Sequence, residues 1–293
     1  MKTQPTILVL GATGKVGAET ARILTEKGDV KVVAGVRSPE KAQHLKDQNI
    51  EVRHLDLDNQ NTLGQALEGV DRALLLTGYT VDMLKQSKAF LDTAQQAGVQ
   101  HIVHIGASGA PTNEVAHWGW HQFIEKYIES LDFSFTHLRP EAFMQNITGP
   151  GYRWLEGNKI LNYAGKDPWS WVDCDDLALV VATTLHEAEK YAGQTIQLGY
   201  DGKTFDEIAQ ILTEVLGQPY YAEDRPREEF LANALAGGAD PAYMNCVYEQ
   251  FKLNVEGKIP NAGATFDNFE TITGRKPMTW REFVIKHREA LMA

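Results

Sequence analysis

Two imidazoles four residues apart, His117 and His121 in the string HWGWH, bracket two tryptophans, and upstream Ser108 closes an apolar run. An imidazole can give or take a proton near neutrality. A pair at i, i+4 shares one helix face, and Trp118 and Trp120 offer flat apolar surface to an aromatic partner. Proton transfer, metal ligation and plain helix packing therefore compete for this string. The H-E-x-x-H arrangement needs a glutamate after the first histidine, where this chain has Trp118, and no downstream carboxylate is placed as a third ligand. No metal is expected. Trp120, Ile124, Tyr127, Ile128 and Leu131 form a helical apolar stripe, so packing at a helix edge stays open beside cleft lining.

A second chemical group sits near the N-terminus. The run TILVL leads directly into GATGKVG, with Gly11, Gly14 and Gly17 at i, i+3 and i+6 and Thr13, Lys15 and Val16 between them. A pyrophosphate needs close backbone approach and a helix start with free N–H groups, which this turn would supply. The spacing differs by one residue from G-x-G-x-x-G; its setting, after an apolar strand and before an amphipathic helix, makes the reading. A bare strand-to-helix turn is the alternative. Where an acidic residue would hold the ribose of NAD, the second strand ends in Arg37. A guanidinium there suits a 2′-phosphate, so the expected cofactor is NADP(H), unless Arg37 is only a solvated charge. Asp56, Thr77 with Gly78, and Gly106 fall at the ends of three further strands and reach the same sheet edge by topology, with turn formation as the alternative.

The elements that position these groups alternate: TILVL, AETARILTEKG, VKVVAGVR, SPEKAQHLKDQ, IEVRHLDL, RALLLTG, HIVHIGAS and FSFTHLRP, with helices expected over Val81 to Ala97 and about Val115 to Leu131. The pattern specifies an α/β fold, a Rossmann-type doubly wound parallel sheet, with a smaller, mainly helical C-terminal substrate lobe. Residues 1–142 form the expected dinucleotide domain, and 173–198 return to it. Residues 143–172 and 199–293 form the lobe. EAFMQNITGPGYRWLEGNK reads as loop over a cleft, with Phe143, Met144, Asn146, Tyr152 and Trp154 as candidate substrate-side residues. WSWVDCDDLALVVATTL reads as a strand end capped into a helix by Asp173 and its neighbours.

The 293 residues, 43% hydrophobic and 23% charged, describe an ordinary globular chain, and no apolar run reaches bilayer length. Twenty-eight basic against thirty-nine acidic residues give a net charge of -11, which repels phosphate backbones and disfavours direct nucleic-acid binding. Two cysteines, Cys174 and Cys246, and an N-terminus unlike a signal peptide lead us to expect a cytoplasmic protein without disulfides or membrane contact.

The glycine turn, Arg37, THLRPEAFMQN, WVDCDDLA, TFDEIAQILTEVLGQP and TGRKPMTWREFV together resemble the NmrA-like group of atypical short-chain dehydrogenases/reductases, over nearly the whole chain. The resemblance implies either an NAD(P)H-dependent reductase of quinones, azo or triarylmethane dyes, or a non-catalytic dinucleotide sensor acting on a protein partner. In the wider superfamily the helix after strand five carries Tyr-x-x-x-Lys, with a serine at the end of that strand. Matching places His117 at the Tyr position, His121 at the Lys position and Ser108 near the serine, so both Tyr and Lys are replaced. A protonated His117 is then the expected proton source. A small conjugated acceptor, which can spread incoming charge over its own π-system, is the expected substrate.

Overall fold

Every residue after the first in TILVL is fully apolar, and alternate side chains leave a strand on opposite faces. Such a strand is stable only with both faces covered. In the computed structural model, which describes residues 4–107, 115–148 and 154–292, Ile7 and Val9 join one buried cluster and Leu8 and Leu10 the other.

The first half runs β1 (Thr6–Leu10), α1 (Lys15–Lys27), β2 (Lys31–Val36), α2 (Gln43–Asp47), β3 (Glu51–His54), α3 (Leu63–Leu67), β4 (Arg72–Leu75), α4 (Met83–Gln96), β5 (His101–Ile105), α5 (Ala116–Ser130) and β6 (Ser134–Pro140). The chain continues through β7 (Ala142–Phe143), β8 (Leu155–Glu156), β9 (Lys159–Asn162), β10 (Trp169–Val172), α6 (Cys174–His186), α7 (Ala188–Tyr191) and β11 (Gln194–Leu198). It ends with β12 (Asp201–Lys203), α8 (Phe205–Leu216), β13 (Tyr221–Asp224), α9 (Arg227–Ala236), α10 (Pro241–Val255), α11 (Phe269–Thr273), α12 (Trp280–Lys286) and α13 (Arg288–Met292).

Seven parallel strands form the main sheet in the order β11-β6-β5-β4-β1-β2-β3. The order reverses between β1 and β4, and the crevice at such a switch point lies at the carboxyl ends of the strands. The α/β class and the doubly wound sheet agree with the sequence expectation. Trp169 opens β10, which pairs with β7 and β12 in a separate small sheet, while β11 joins the main one. One feature differs: the second lobe is less purely helical than expected, since these strands and the three-stranded sheet of β13, β9 and β8 add to its helices. Strands of two to four residues carry too little alternation to stand out in a sequence.

Asp173 caps α6, its carboxylate accepting from the N–H groups of Asp175 and Asp176. Asp176 in turn accepts from Arg275 at 2.9 Å and from the backbone of Met278 at 2.6 Å, fastening the C-terminal segment to the first domain's helix.

The tightest backbone approach near the switch point is at Gly17, where a Cβ would lie 2.3 Å from the Gly11 carbonyl oxygen. Gly17→Ala is therefore expected to push α1 off its turn at a cost of about 1–3 kcal/mol, read as a lowered denaturation midpoint. An unchanged midpoint would show that the helix start has room to move.

Candidate active site

Gly11 turns the chain with φ +64°, a region open to glycine, and its carbonyl accepts from Gly14 at 2.8 Å. Helix α1 then begins at Lys15 with no side-chain cap and no acidic residue in its first turn, so its leading N–H groups and positive dipole end have no built-in anion. Gly14, Lys15, Val16 and Gly17 line a cleft of about 660 Å³. Thr77, Gly78 and Gly106, from the ends of β4 and β5, line it too. Gly11 and Thr13 lie exposed in the turn itself. Arg37 is exposed beyond the end of β2, outside the cleft wall. Asp56 is not on the wall either: its carboxylate accepts from the backbone of Asp58 at 3.0 Å.

The far half of the cleft is aromatic. His117, Trp118 and His121 from α5 meet Phe143, Asn146 and Trp154 there. Helix α10 closes the other side with Tyr243 and Phe251, and the His117 ring lies 5.1 Å from that of Tyr243. Two substrate-side expectations are corrected. Met144 is fully buried in the core, because it enters a 3-10 turn that points it beneath the cleft floor. Trp120 leans on Tyr243 from outside the wall, with ring centroids 6.2 Å apart. Ser108 and Tyr152 lie outside the described residues.

The histidines share a helix face at the cleft as the spacing implies, but not as acids. Burial lowers the pKa of His117 to about 4. Burial, aided by neighbouring His117, lowers that of His121 to about 3. Both rings are neutral at pH 7, so His117 is no imidazolium donor, contrary to the expectation from an ordinary histidine. A neutral ring still offers one N–H and one lone pair.

Sequence reasoning missed what lies behind them. His104 of β5 and His137 of β6 are cross-strand partners, fully buried, and His121 Nδ1 lies 3.4 Å from His104 Nε2. Beside them Arg139 donates to both oxygens of buried Glu125, at 2.9 and 2.5 Å. The available signal was the recurrence of histidines on adjacent strands, His101 and His104 in HIVHI and His137 in SFTH. Gln145, also missed, lines the cleft and ties its floor to α6, donating to Asp173 at 2.5 Å and accepting from Cys174 N–H at 3.1 Å.

A doubly wound sheet whose β1–α1 turn opens into a largely aromatic cleft at the switch point defines a dinucleotide-binding α/β protein with a chamber beside the dinucleotide end. The chain belongs to the NmrA-like family, which it matches over residues 3–284. It is 27% identical to the NAD(P)H azoreductase of Xenophilus azovorans over 292 residues, 98% of this chain and 99% of that one. It is 28% identical to quinone oxidoreductase 2 of Escherichia coli over 229 residues, 77% of this chain and 80% of that one. Its fold superposes on the Citrobacter sp. triphenylmethane reductase solved with NADP(H) at a TM-score of 0.82 and 29% identity, covering 96% of this chain and 99% of that one. Among the described residues no helix is long and apolar enough to cross a membrane.

Five buried histidines give the fold an acid signature. His101 and His117 are lowered to about 4, His121 to about 3, and His104 and His137 are lowered as well, from an ordinary 6.5. Below that ordinary value the unfolded chain binds more protons than the folded one. Stability is therefore expected to fall as pH drops from about 6.5 towards 4, by roughly 1 kcal/mol per pH unit for each of His101, His117 and His121, with His104 and His137 acting in the same direction. Asp176, raised to about 6 by burial, opposes this as a single group. Denaturant midpoints measured across that window check the sign, and a flat profile would mean that the rings charge freely in the fold.

Proposed function

We propose that the protein is an NADPH-dependent reductase that passes a hydride to a conjugated aromatic acceptor such as a quinone or dye. One observation carries this reading: a single cleft joins the uncapped start of α1 to a chamber walled by Trp118, Trp154 and Phe251. The dinucleotide fits the first half on this chain's own geometry. The absent Cβ at Gly17 lets the helix start lie against its turn, and the first-turn N–H groups lack any internal anion. Gly14 to Gly17 would hold the pyrophosphate, Thr77 and Gly78 would flank the cofactor, and Arg37 would pair with a 2′-phosphate. Once bound, the nicotinamide supplies the hydride. The named activities of the azo, quinone and triphenylmethane reductase relatives support the same class of acceptor.

The chain's own residues do the rest by orientation and exclusion of water. Flat rings of Trp118 and Tyr243 hold a planar acceptor, and the apolar walls keep bulk water from the transfer. With His117 and His121 neutral, the cleft has no strong acid to force a proton onto an ordinary ketone. An acceptor that spreads the incoming charge over its own π-system meets that limit. The same replacement of both Tyr and Lys favours a second reading, a non-catalytic NADP(H) sensor. That reading requires unequal binding of the two redox forms, which calorimetry tests.

Purified protein with NADPH and a panel of quinones, azo compounds and triarylmethane dyes should consume nicotinamide absorbance; no protein-dependent loss across the panel would sink the reductase reading. Arg37→Glu should raise the KM for NADPH by about 10- to 100-fold, the equivalent of one charge-assisted contact, while NADH is little affected. An equal change for both cofactors would place the 2′-phosphate elsewhere.

A further inference from the structure

The inward face of α5 carries His117, His121, Glu125 and Glu129 at successive four-residue steps, the spacing that aligns side chains along one side of a helix. The stripe starts at the cleft, passes Glu125, which is 2% exposed, and ends at Glu129, which reaches solvent at 31%. His104 and His137, paired across β5 and β6, face it. From the cleft outward, His121 Nδ1 lies 3.4 Å from His104 Nε2. The nearest donor atoms of His104, Glu125 and His137 lie within 4.8 Å of one another, and His137 Nε2 is 3.6 Å from Glu129 Oε1. A metal suits the middle of the row poorly, because Arg139 already engages both Glu125 oxygens and sets a guanidinium beside any cation there.

We propose that this row is a proton relay, carrying a proton from solvent at Glu129 through His137 and His104 to His121, which donates it to the acceptor in the cleft. The inference rests on the reductase reading and adds the route by which the second half of the reaction is supplied. An imidazole takes a proton at one nitrogen while giving one from the other. With His104 Nε2–H donating to His121 Nδ1, the Nε2–H of His121 is left for the acceptor. His104 and His137 act through His121 and are positioning residues. The step between them is longer than a hydrogen bond. No hydrogen bond holds either His137 nitrogen, and its ring stacks on Phe135 at 4.4 Å, so a half-turn about Cβ–Cγ exchanges its edges without leaving the stack. The charged groups around the row are Arg139 beside His104 and His137, and Glu125, Glu129 and Lys126 beside His137; His121 faces His117 and His104.

The balance separates two kinds of acceptor. A quinone takes one hydride from NADPH and one proton from His121 to become a hydroquinone; NADPH is oxidised to NADP⁺, and water at Glu129 refills the row. A triarylmethane cation takes the hydride alone at its central carbon and becomes the neutral leuco dye. Only the first needs the relay.

The test is the ratio of quinone to dye turnover in His104→Gln, which keeps an N–H towards His121 but cannot pass a proton, and in His137→Phe, which keeps the stack on Phe135. Each should lower that ratio about tenfold or more, within the range of general acid catalysis, and the wild-type quinone rate should slow in D₂O more than the dye rate. Proportional loss with both acceptors, or an unchanged ratio, overturns the relay while leaving the reductase reading intact. Wild-type protein that reduces neither acceptor overturns both. Independently of turnover, ¹⁵N histidine spectra should show His121 protonated at Nε2 and bare at Nδ1; the opposite tautomer overturns the relay.

Discussion

The contact between the Gly11 carbonyl and the bare Cα of Gly17 sets the geometry from which the rest of the site follows. It fixes where α1 begins relative to β1, and so where the uncapped N–H groups point. A side chain at Gly17 would separate helix from turn, so that the dipole end would no longer face the switch point, whereas one at Gly11 would be strained by its φ of +64° and press on Leu76. Helix α6 packs alongside α1, and its own start is held by Asp173 and through it by Gln145 on the cleft floor. The phosphate end and the floor of the substrate end are therefore one rigid piece, although their residues are more than a hundred positions apart.

The opposite wall has a different physical basis. Trp154, Trp169, Trp171, Phe205 and Phe251 form a cluster of mostly edge-to-face rings, with Trp169 stacked on Trp171 and centroids about 6 Å apart. Rings of this size bury much surface for little rotamer freedom lost, which suits a short lobe assembled from small sheets and helices. The cluster sits against the first domain, and Asp176 pins the C-terminal segment to α6 through Arg275 and Met278. The chamber's shape is thus a property of aromatic packing, and polar side chains enter it from α5 (His117, His121), from the floor (Gln145, Asn146) and from α10 (Gln250, Asn254).

How much of this was legible in the sequence follows from the range of each interaction. The sheet and the glycine turn were readable because both are local: buried strands need apolar residues at consecutive positions, and α1 follows β1 directly. The observed α5, Ala116–Ser130, lies within a residue of its expected bounds for the same reason. The histidine row was not readable. It depends on β5 and β6 being neighbours in a register that sets His104 beside His137, and on which side α5 covers them. The neutrality of His117 was equally hidden, since desolvation is a property of the folded surroundings and not of the residue. Met144 misled because a methionine between two cleft residues reads the same whether it points up or down.

The ion pair behind the row bears on the cleft's chemistry more than its distance suggests. Glu125 is almost fully buried, and a lone carboxylate there would attract protons onto His104 and His137 and leave charge stored next to the cleft. Arg139 offsets it with a two-pronged contact, and its own charge pushes the pKa of both rings down. The pair therefore acts as a neutral spacer that costs desolvation and returns a polar interior free of net charge. In the proposed reaction, a substrate beside this part of α5 would meet oriented N–H groups and no net charge from the Glu125–Arg139 pair, so charge arriving with the hydride would be accommodated largely within the acceptor. For the reductase proposed above, that constraint, set by residues behind the cleft wall, favours conjugated acceptors.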